Sequence, residues 1–201
     1  MTKKLFTAIV ALMLAAPTFA QYSSGGFVLN EESLYYGVRI GMTVAGIGGD
    51  VSVDSRTGMT LGGVIGLRVS DTTPLFLESG LYYTERGGNN LQGSDYDAHL
   101  NYLEIPLLIK YGFKATDQIA LLPFIGPYFA VGISGDYDYF KRPEMGFKLG
   151  CGAEYNKIYF ELGYQFGVSN IAKDKGTIFE NFTGDPSAHG HAFFMNLGIN
   201  F

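Results

Sequence analysis

The sequence holds one cysteine and no tryptophan in 201 residues, and only 16% of its residues are charged. A single Cys151 excludes an internal disulfide framework, and no Cys/His group has the spacing of a zinc site. The charged fraction falls well below the roughly 25% of an ordinary soluble domain. The charge that is present leans negative, −5 overall, which argues against nucleic-acid binding, since that needs a basic footprint. Beyond the first twenty positions no segment offers the ~18 continuous apolar residues of a membrane-crossing helix. If such a chain enters a membrane, it does so as strands, the other structure that satisfies its backbone in lipid.

Met1–Thr2–Lys3–Lys4 followed by the apolar run Leu5–Ala16 and Pro17–Thr18–Phe19–Ala20 has the layout of an export leader. Its basic start, short apolar stretch and small residue at the boundary predict cleavage between Ala20 and Gln21. No cysteine follows, so a lipid anchor at that site is not expected. Residues 21–33 read as a polar lead-in, and 34–201 as one domain with a full core.

From residue 35 onward the chain alternates apolar and small or polar residues, the period of a strand with one apolar face. Eight such stretches are expected: Tyr35–Ala45, Thr57–Ser70, Leu75–Arg86, Leu100–Phe113, Ile119–Ile133, Met145–Tyr155, Ile158–Ser169 and His189–Phe201. The fifth is apolar on both faces and carries Pro123 and Pro127. Because proline removes a ladder donor, a bulge or irregularity is expected there.

Three regularities turn these strands into an architecture. They exceed the common globular strand of about 5–6 residues and suit a tilted bilayer crossing of about 9–11. Their connections alternate long and short, as in outer-membrane barrels, with short periplasmic turns and longer outer loops. Glycine is sorted by face. Outside the fifth strand, the face opposite the apolar stripe holds eleven glycines, from Gly37 and Gly41 to Gly198, and the apolar face holds only Gly63. A soluble sandwich would fill its second face with solubilising side chains. Glycines between a few large or charged groups fit a narrow interior. The expectation is therefore all-β: an eight-stranded antiparallel up-and-down transmembrane β-barrel, apolar stripes to lipid and the glycine-rich face to the lumen. A soluble periplasmic ligand-binding barrel is the alternative.

The stretch Tyr102–Leu103–Glu104–Ile105–Pro106–Leu107–Leu108–Ile109–Lys110–Tyr111 resembles a strand of the PorT-like, "porin family" outer-membrane β-barrel proteins of Bacteroidetes-type bacteria. Phe124–Tyr128, Gly150–Glu154, Tyr164–Ile171 and the terminal Phe201 agree, so the resemblance spans the chain beyond the leader. It implies an integral protein of the outer membrane of a Gram-negative cell and leaves the physiological role open.

With these faces, Arg39, Arg68, Glu78, Glu104, Lys110, Lys148, Glu154 and Glu161 point into the lumen. Four bases against four acids predict an ion-paired filling, because buried charge must be paired or solvated. Eight strands leave room for little else. A narrow gated path is the sharper alternative. His99, His189 and His191 fall at the outer rim near Asp95, Asp97 and Asp185. A metal site, or a hydrolase acting on lipid or peptide, would be built there, but no nucleophile motif accompanies them and solvated loop residues are the plainer reading. Cys151 reads as a lipid-facing hydrophobe. Tyr36, Tyr83, Tyr111, Tyr155 and Phe201 suit interfacial girdles. Asp136–Tyr137–Asp138–Tyr139 marks a loop tip that would be solvated or a recognition patch. Phe201 resembles the carboxy-terminal signal read by barrel-insertion machinery. No catalytic, metal or cofactor residue is assigned. The expected partners are outer-membrane lipid, the insertion machinery and an unidentified protein reached through the loops Ile47–Thr57, Gly87–His99, Ser134–Glu144 and Asn170–Ala188.

Overall fold

Alternating apolar residues form strands here because period 2 puts every second side chain on one face. The computed structural model describes residues 34–49, 54–70, 72–90, 97–116, 118–137, 140–172 and 187–201. The expected leader and lead-in, with Ala20 and Gln21, lie outside these residues. The strands are β1 (Leu34–Gly49), β2 (Asp54–Arg68), β3 (Leu75–Asn89), β4 (Ala98–Tyr111), β5 (Phe113–Lys114), β6 (Ile119–Gly135), β7 (Pro143–Tyr155), β8 (Ile158–Gly167) and β9 (Ala188–Asn200). Two-residue β5 prolongs β4 past Gly112, so eight long strands remain. Each pairs antiparallel with its chain neighbour, β1 pairs with β9, and β4 with β6, which closes the sheet.

The register sets the dimensions. From Tyr35 the paired residues run Gly66, Glu78, Leu108, Gly126, Lys148, Gln165, Ala192 and back to β1 at Ala45, with Leu108–Gly126 lying between the pairs Pro106–Tyr128 and Ile109–Ile125. One circuit thus climbs ten residues, from 35 to 45. Across eight strands ~4.8 Å apart, with a rise of ~3.3 Å per residue, this gives a tilt of about 40° and a backbone radius of about 8 Å. At that tilt the ten residues of β8 rise about 25 Å, the height of an outer-membrane apolar band.

The faces divide as the alternation predicts. Ile40, Met59, Ile125 and Leu197 point outward and remain 53–60% exposed. Charged Arg39, Glu78, Glu104, Lys110, Glu154 and Glu161 are buried inside. Glycines facing inward make room for rings: Tyr35 lies over Gly66 and Tyr159 over Gly152. In β6, Ala120, Leu122, Phe124 and Tyr128 face in, while both prolines face out. Its ladder to β7 runs unbroken past the prolines; the ladder to β4 skips Gly126–Pro127. The register shift between β4 and β6 falls instead at Asn101/Tyr102. At the two-residue turn after β7, Asn156 adopts φ 55°, a left-handed conformation asparagine tolerates.

Several expected loops shorten. β1 continues to Gly49 and β2 begins at Asp54, so the first outer connection is four positions rather than Ile47–Thr57, and Ile47 is buried. β3 and β4 likewise take up both ends of Gly87–His99. Residues such as Gly88 and His99 pair across strands despite their polar sequence, because a backbone ladder needs no apolar side chain.

Candidate functional site in the barrel lumen

Two ion-paired clusters fill the lumen, one nearer the short turns and one nearer the long loops. The first joins strands on opposite sides of the barrel. Lys110 on β4 lies 2.8 Å from Glu78 on β3 and 3.6 Å from Glu161 on β8, and donates to the Tyr159 hydroxyl at 2.8 Å. Glu78 also meets Arg39 at 3.6 Å and accepts from Tyr35 at 2.6 Å. Asn200 ties in Glu154: its carbonyl accepts from Arg39 at 2.7 Å and its amide donates to Glu154 at 2.8 Å. Asn196 donates to Glu161 at 2.9 Å. The Arg39 guanidinium stacks 4.1 Å above the Tyr159 ring, a contact that strengthens when it is desolvated.

The second cluster centres on Arg86 of β3. It pairs with Glu104 of β4 and lies 2.9 Å from Glu144 of β7. Lys148 pairs with the other Glu104 oxygen, and Tyr128 donates to Glu144 at 2.5 Å. The Lys148 ammonium also faces the Phe194 ring at 4.7 Å. Between the clusters lie Leu108, Phe124 and Phe194.

Apolar groups seal both ends. Tyr35, Phe76, Ala120, Leu122 and Tyr159 pack together at the short-turn end. At the other end Ile47, Leu100, Tyr102, Tyr137, Phe140 and Ile171, with four alanines and Tyr128, form one buried group. The loop segments contributing to it are bridged: Phe140 pairs with Ala172, and the Lys141 amide donates to the Ile171 carbonyl at 2.7 Å. The sequence places Tyr137 at a loop tip, solvated or part of a recognition patch. It is buried instead, its ring edge-on to Tyr102 at 5.8 Å and its hydroxyl donating to the Asn101 carbonyl. Burial raises this hydroxyl above its ordinary pKa. Asp138 and Tyr139 lie outside the described residues.

Of the eight lumen charges read from the sequence, the structure places Arg39, Glu78, Lys110, Glu154 and Glu161 in the first cluster and Glu104 and Lys148 in the second. Arg68 differs: it is half-exposed at the short-turn rim, its Nε donating to the Ser70 carbonyl at 2.9 Å. Arg86 and Glu144, which the sequence put at strand and loop ends, are buried members of the second cluster. Tyr35 is a further inward member of the first.

The histidines do not converge. His99 is exposed on β4, four strands round the barrel from His189 and His191 on β9. His189 Nδ1 lies 3.1 Å from the Ser169 carbonyl, and His191 stacks on Tyr164 at 6.3 Å. Among the described residues no three His, Cys, Asp or Glu side chains are grouped to hold a metal ion. Cys151 faces outward, half-exposed. Phe201 closes the β1–β9 seam through two backbone hydrogen bonds with Tyr36, 2.7 and 3.1 Å.

Long tilted strands, an outward apolar belt and a charge-filled interior define a transmembrane β-barrel. The chain belongs to the outer membrane protein beta-barrel domain family, whose model matches residues 6–201. It is an outer-membrane protein, and the soluble periplasmic alternative is set aside. Among solved structures it is similar to the outer membrane protein OprG of Pseudomonas aeruginosa, at 13% identity and a TM-score of 0.53 over 88% of this chain and 99% of that one. Neisserial surface protein A is also similar, at 14% identity and a TM-score of 0.47 over 85% and 98% of the two chains. So is the attachment invasion locus protein of Yersinia pestis, at 12% identity and a TM-score of 0.45 over 85% and 100%. The OprG match supports the fold. No curated protein matches the sequence significantly.

Proposed function

We propose that this protein is a rigid, sealed barrel whose work is structural or interactive: it anchors a braced set of outer loops and presents them to a protein partner. The observation that carries this reading is the filled lumen. Two ionic clusters and two apolar plugs occupy the space through which a solute would pass, and an eight-stranded barrel has no spare width. Planar-bilayer recording of the purified protein tests it. Absence of steady conductance is the expected result. Charge-selective conductance lost in Glu104→Gln or Lys110→Met would replace the reading with a narrow channel.

The finer affinity we infer is to the PorT-like branch of the family, on the Tyr102–Tyr111 strand and the Tyr164–Ile171 stretch. With it go export from a Gram-negative cytoplasm on residues 1–20, cleavage before Gln21, and insertion by machinery that reads Phe201. Mass spectrometry of the membrane-purified chain checks the cleavage. A mass that includes residues 1–20 would refute it.

A further inference from the structure

We propose that the barrel wall has a built-in weak seam, between β4 and β6, and that ion pairs crossing the lumen latch it shut. The weakness lies in the ladder. Proline has no amide proton, and three prolines withhold theirs from the two ladders of β4. Pro106 lies in β4 itself. Its carbonyl accepts from the Ser79 hydroxyl of β3 at 2.8 Å, and the β3–β4 pairing skips from Ser79–Leu107 to Tyr82–Glu104. On β6, Pro123 and Pro127 leave the ladder to β7 unbroken, so the donors they lack face β4. There the pairing skips from Pro106–Tyr128 to Ile109–Ile125 and stops at Lys110–Phe124, one position short of Pro123. Carbonyls left without a donor inside a bilayer weaken the wall that holds them. On the other side of the barrel β1 and β9 join the same two halves, β1–β4 and β6–β9, through thirteen consecutive pairs, against nine interrupted ones between β4 and β6.

The lumen supplies what the ladder lacks. β6 carries no charged residue, and the ion pairs reach past it. Lys110 of β4 lies 3.6 Å from Glu161 of β8 and donates to the Tyr159 hydroxyl of the same strand at 2.8 Å. Glu104 of β4 pairs with Lys148 of β7. Arg86 of β3 lies 2.9 Å from Glu144 of β7. Each of these contacts ties the β1–β4 half to the β6–β9 half across the interior. Drawing β4 away from β6 separates these partners, and buried charges parted from their partners are costly. The latch therefore holds closed a seam whose own hydrogen bonds are thinned. With both ends of the lumen plugged by apolar groups, the wall at β4–β6 is where the interior first opens.

Amide hydrogen exchange, read residue by residue by NMR on the full-length protein folded in lipid nanodiscs, tests the seam. In the wild type the amides of Ile105, Ile109, Ile125 and Phe129, which lie in β4–β6 pairs, should exchange more than about tenfold faster than those pairing β1 with β9. Two double variants remove the latch from both sides at once: Lys110→Met with Glu161→Gln, and Glu104→Gln with Lys148→Met. Each should speed exchange at β4–β6 by a further factor of about ten or more and leave β1–β9 unchanged, with the heat-dependent gel shift of the folded barrel retained. Adding Pro127→Val gives the Leu107 carbonyl a donor and should slow β4–β6 exchange again in either background. Equal exchange at the two seams of the wild type would overturn the proposal. So would acceleration spread evenly round the barrel in the double variants, or a Pro127→Val substitution that slows nothing. If one double variant fails to fold, the other and the wild-type comparison decide.

Discussion

Lys110→Met should be among the most damaging single changes in the barrel, and a second substitution should repair much of it. The Lys110 ammonium is fully buried, 2.8 Å from Glu78 and 3.6 Å from Glu161. Its cluster holds Arg39 and Lys110 against Glu78, Glu154 and Glu161, one negative charge in excess. Methionine keeps the length of the side chain and removes the charge, raising the excess to two. Breaking a buried pair from one side costs about 3–5 kcal/mol, mostly for the charge left behind. Glu78 keeps Arg39 and the Tyr35 hydroxyl, but Glu161 loses its Lys110 pair and keeps its hydrogen bond from Asn196. Glu161→Gln added to Lys110→Met restores the original excess of one, and a glutamine oxygen can still accept from Asn196. The double variant should therefore recover at least about 2 kcal/mol relative to Lys110→Met, because removing both partners of a buried pair is far cheaper than removing one. Urea unfolding of the vesicle-folded protein, followed by the heat-dependent gel shift, measures all four corners of the cycle. Simple additivity, or a single-variant cost below about 1 kcal/mol, would refute the view that these charges are paired across a water-poor lumen.

The two faces give opposite outcomes for the same substitution. Gly63→Val, on the lipid side, should be nearly neutral, since an added Cβ meets only the Gly37 carbonyl at 3.9 Å; Gly66→Val would drive a methyl into the Tyr35 ring and should cost about 1–3 kcal/mol in the same unfolding assay. Ile125→Arg, at a site 59% exposed and outward, should cost about 2–4 kcal/mol in vesicles if it lies near the bilayer midplane; a neutral result would move the apolar belt out of lipid. Deleting Phe201 removes both backbone bonds that end the β1–β9 seam and should lower the heat-shiftable fraction recovered from the outer membrane; an unchanged fraction would show that neither the seam nor an insertion signal depends on it.

Strand number, facing and seven of the buried lumen charges were legible in the sequence for a simple reason. Lipid imposes one rule on every outward position, so Phe193, Met195, Leu197 and Ile199 repeat what Val38, Ile40, Met42 and Val44 do on the neighbouring strand. The lumen imposes a second rule, room for rings, and glycine records it. Even β6, apolar on both faces, becomes interpretable once its neighbours are placed: its inward Leu122 and Phe124 supply the apolar plug and middle layer that separate charge from charge and from the periplasmic end.

Alternation does not locate the upper limits of the strands: Glu144 falls at the end of an expected loop and Arg86 at the last position of an expected strand, so neither reads as a lumen charge. A barrel tilted by about 40° carries its strands beyond the apolar band, where the outward residues turn polar: His99 falls in the expected loop Gly87–His99 although the ladder continues beneath it. Inward residues at the same height still face a closed interior, because the apolar group around Ile47, Leu100, Tyr137, Phe140 and Ile171 rather than the membrane excludes water there. Arg86 and Glu144 are buried at 4% and 1% exposure, Arg86 over the rings of Tyr102 and Tyr128 and Glu144 bonded by Tyr128, residues that the fold brings together. The signal was present in another form. Arg86 closes the expected strand Leu75–Arg86 at the same parity as the inward Tyr82 and Thr84. Carrying that parity through to the strand's last residue puts a guanidinium inside the barrel, where it pairs with Glu104. A polar outer face marks where lipid ends; it does not mark where the interior ends.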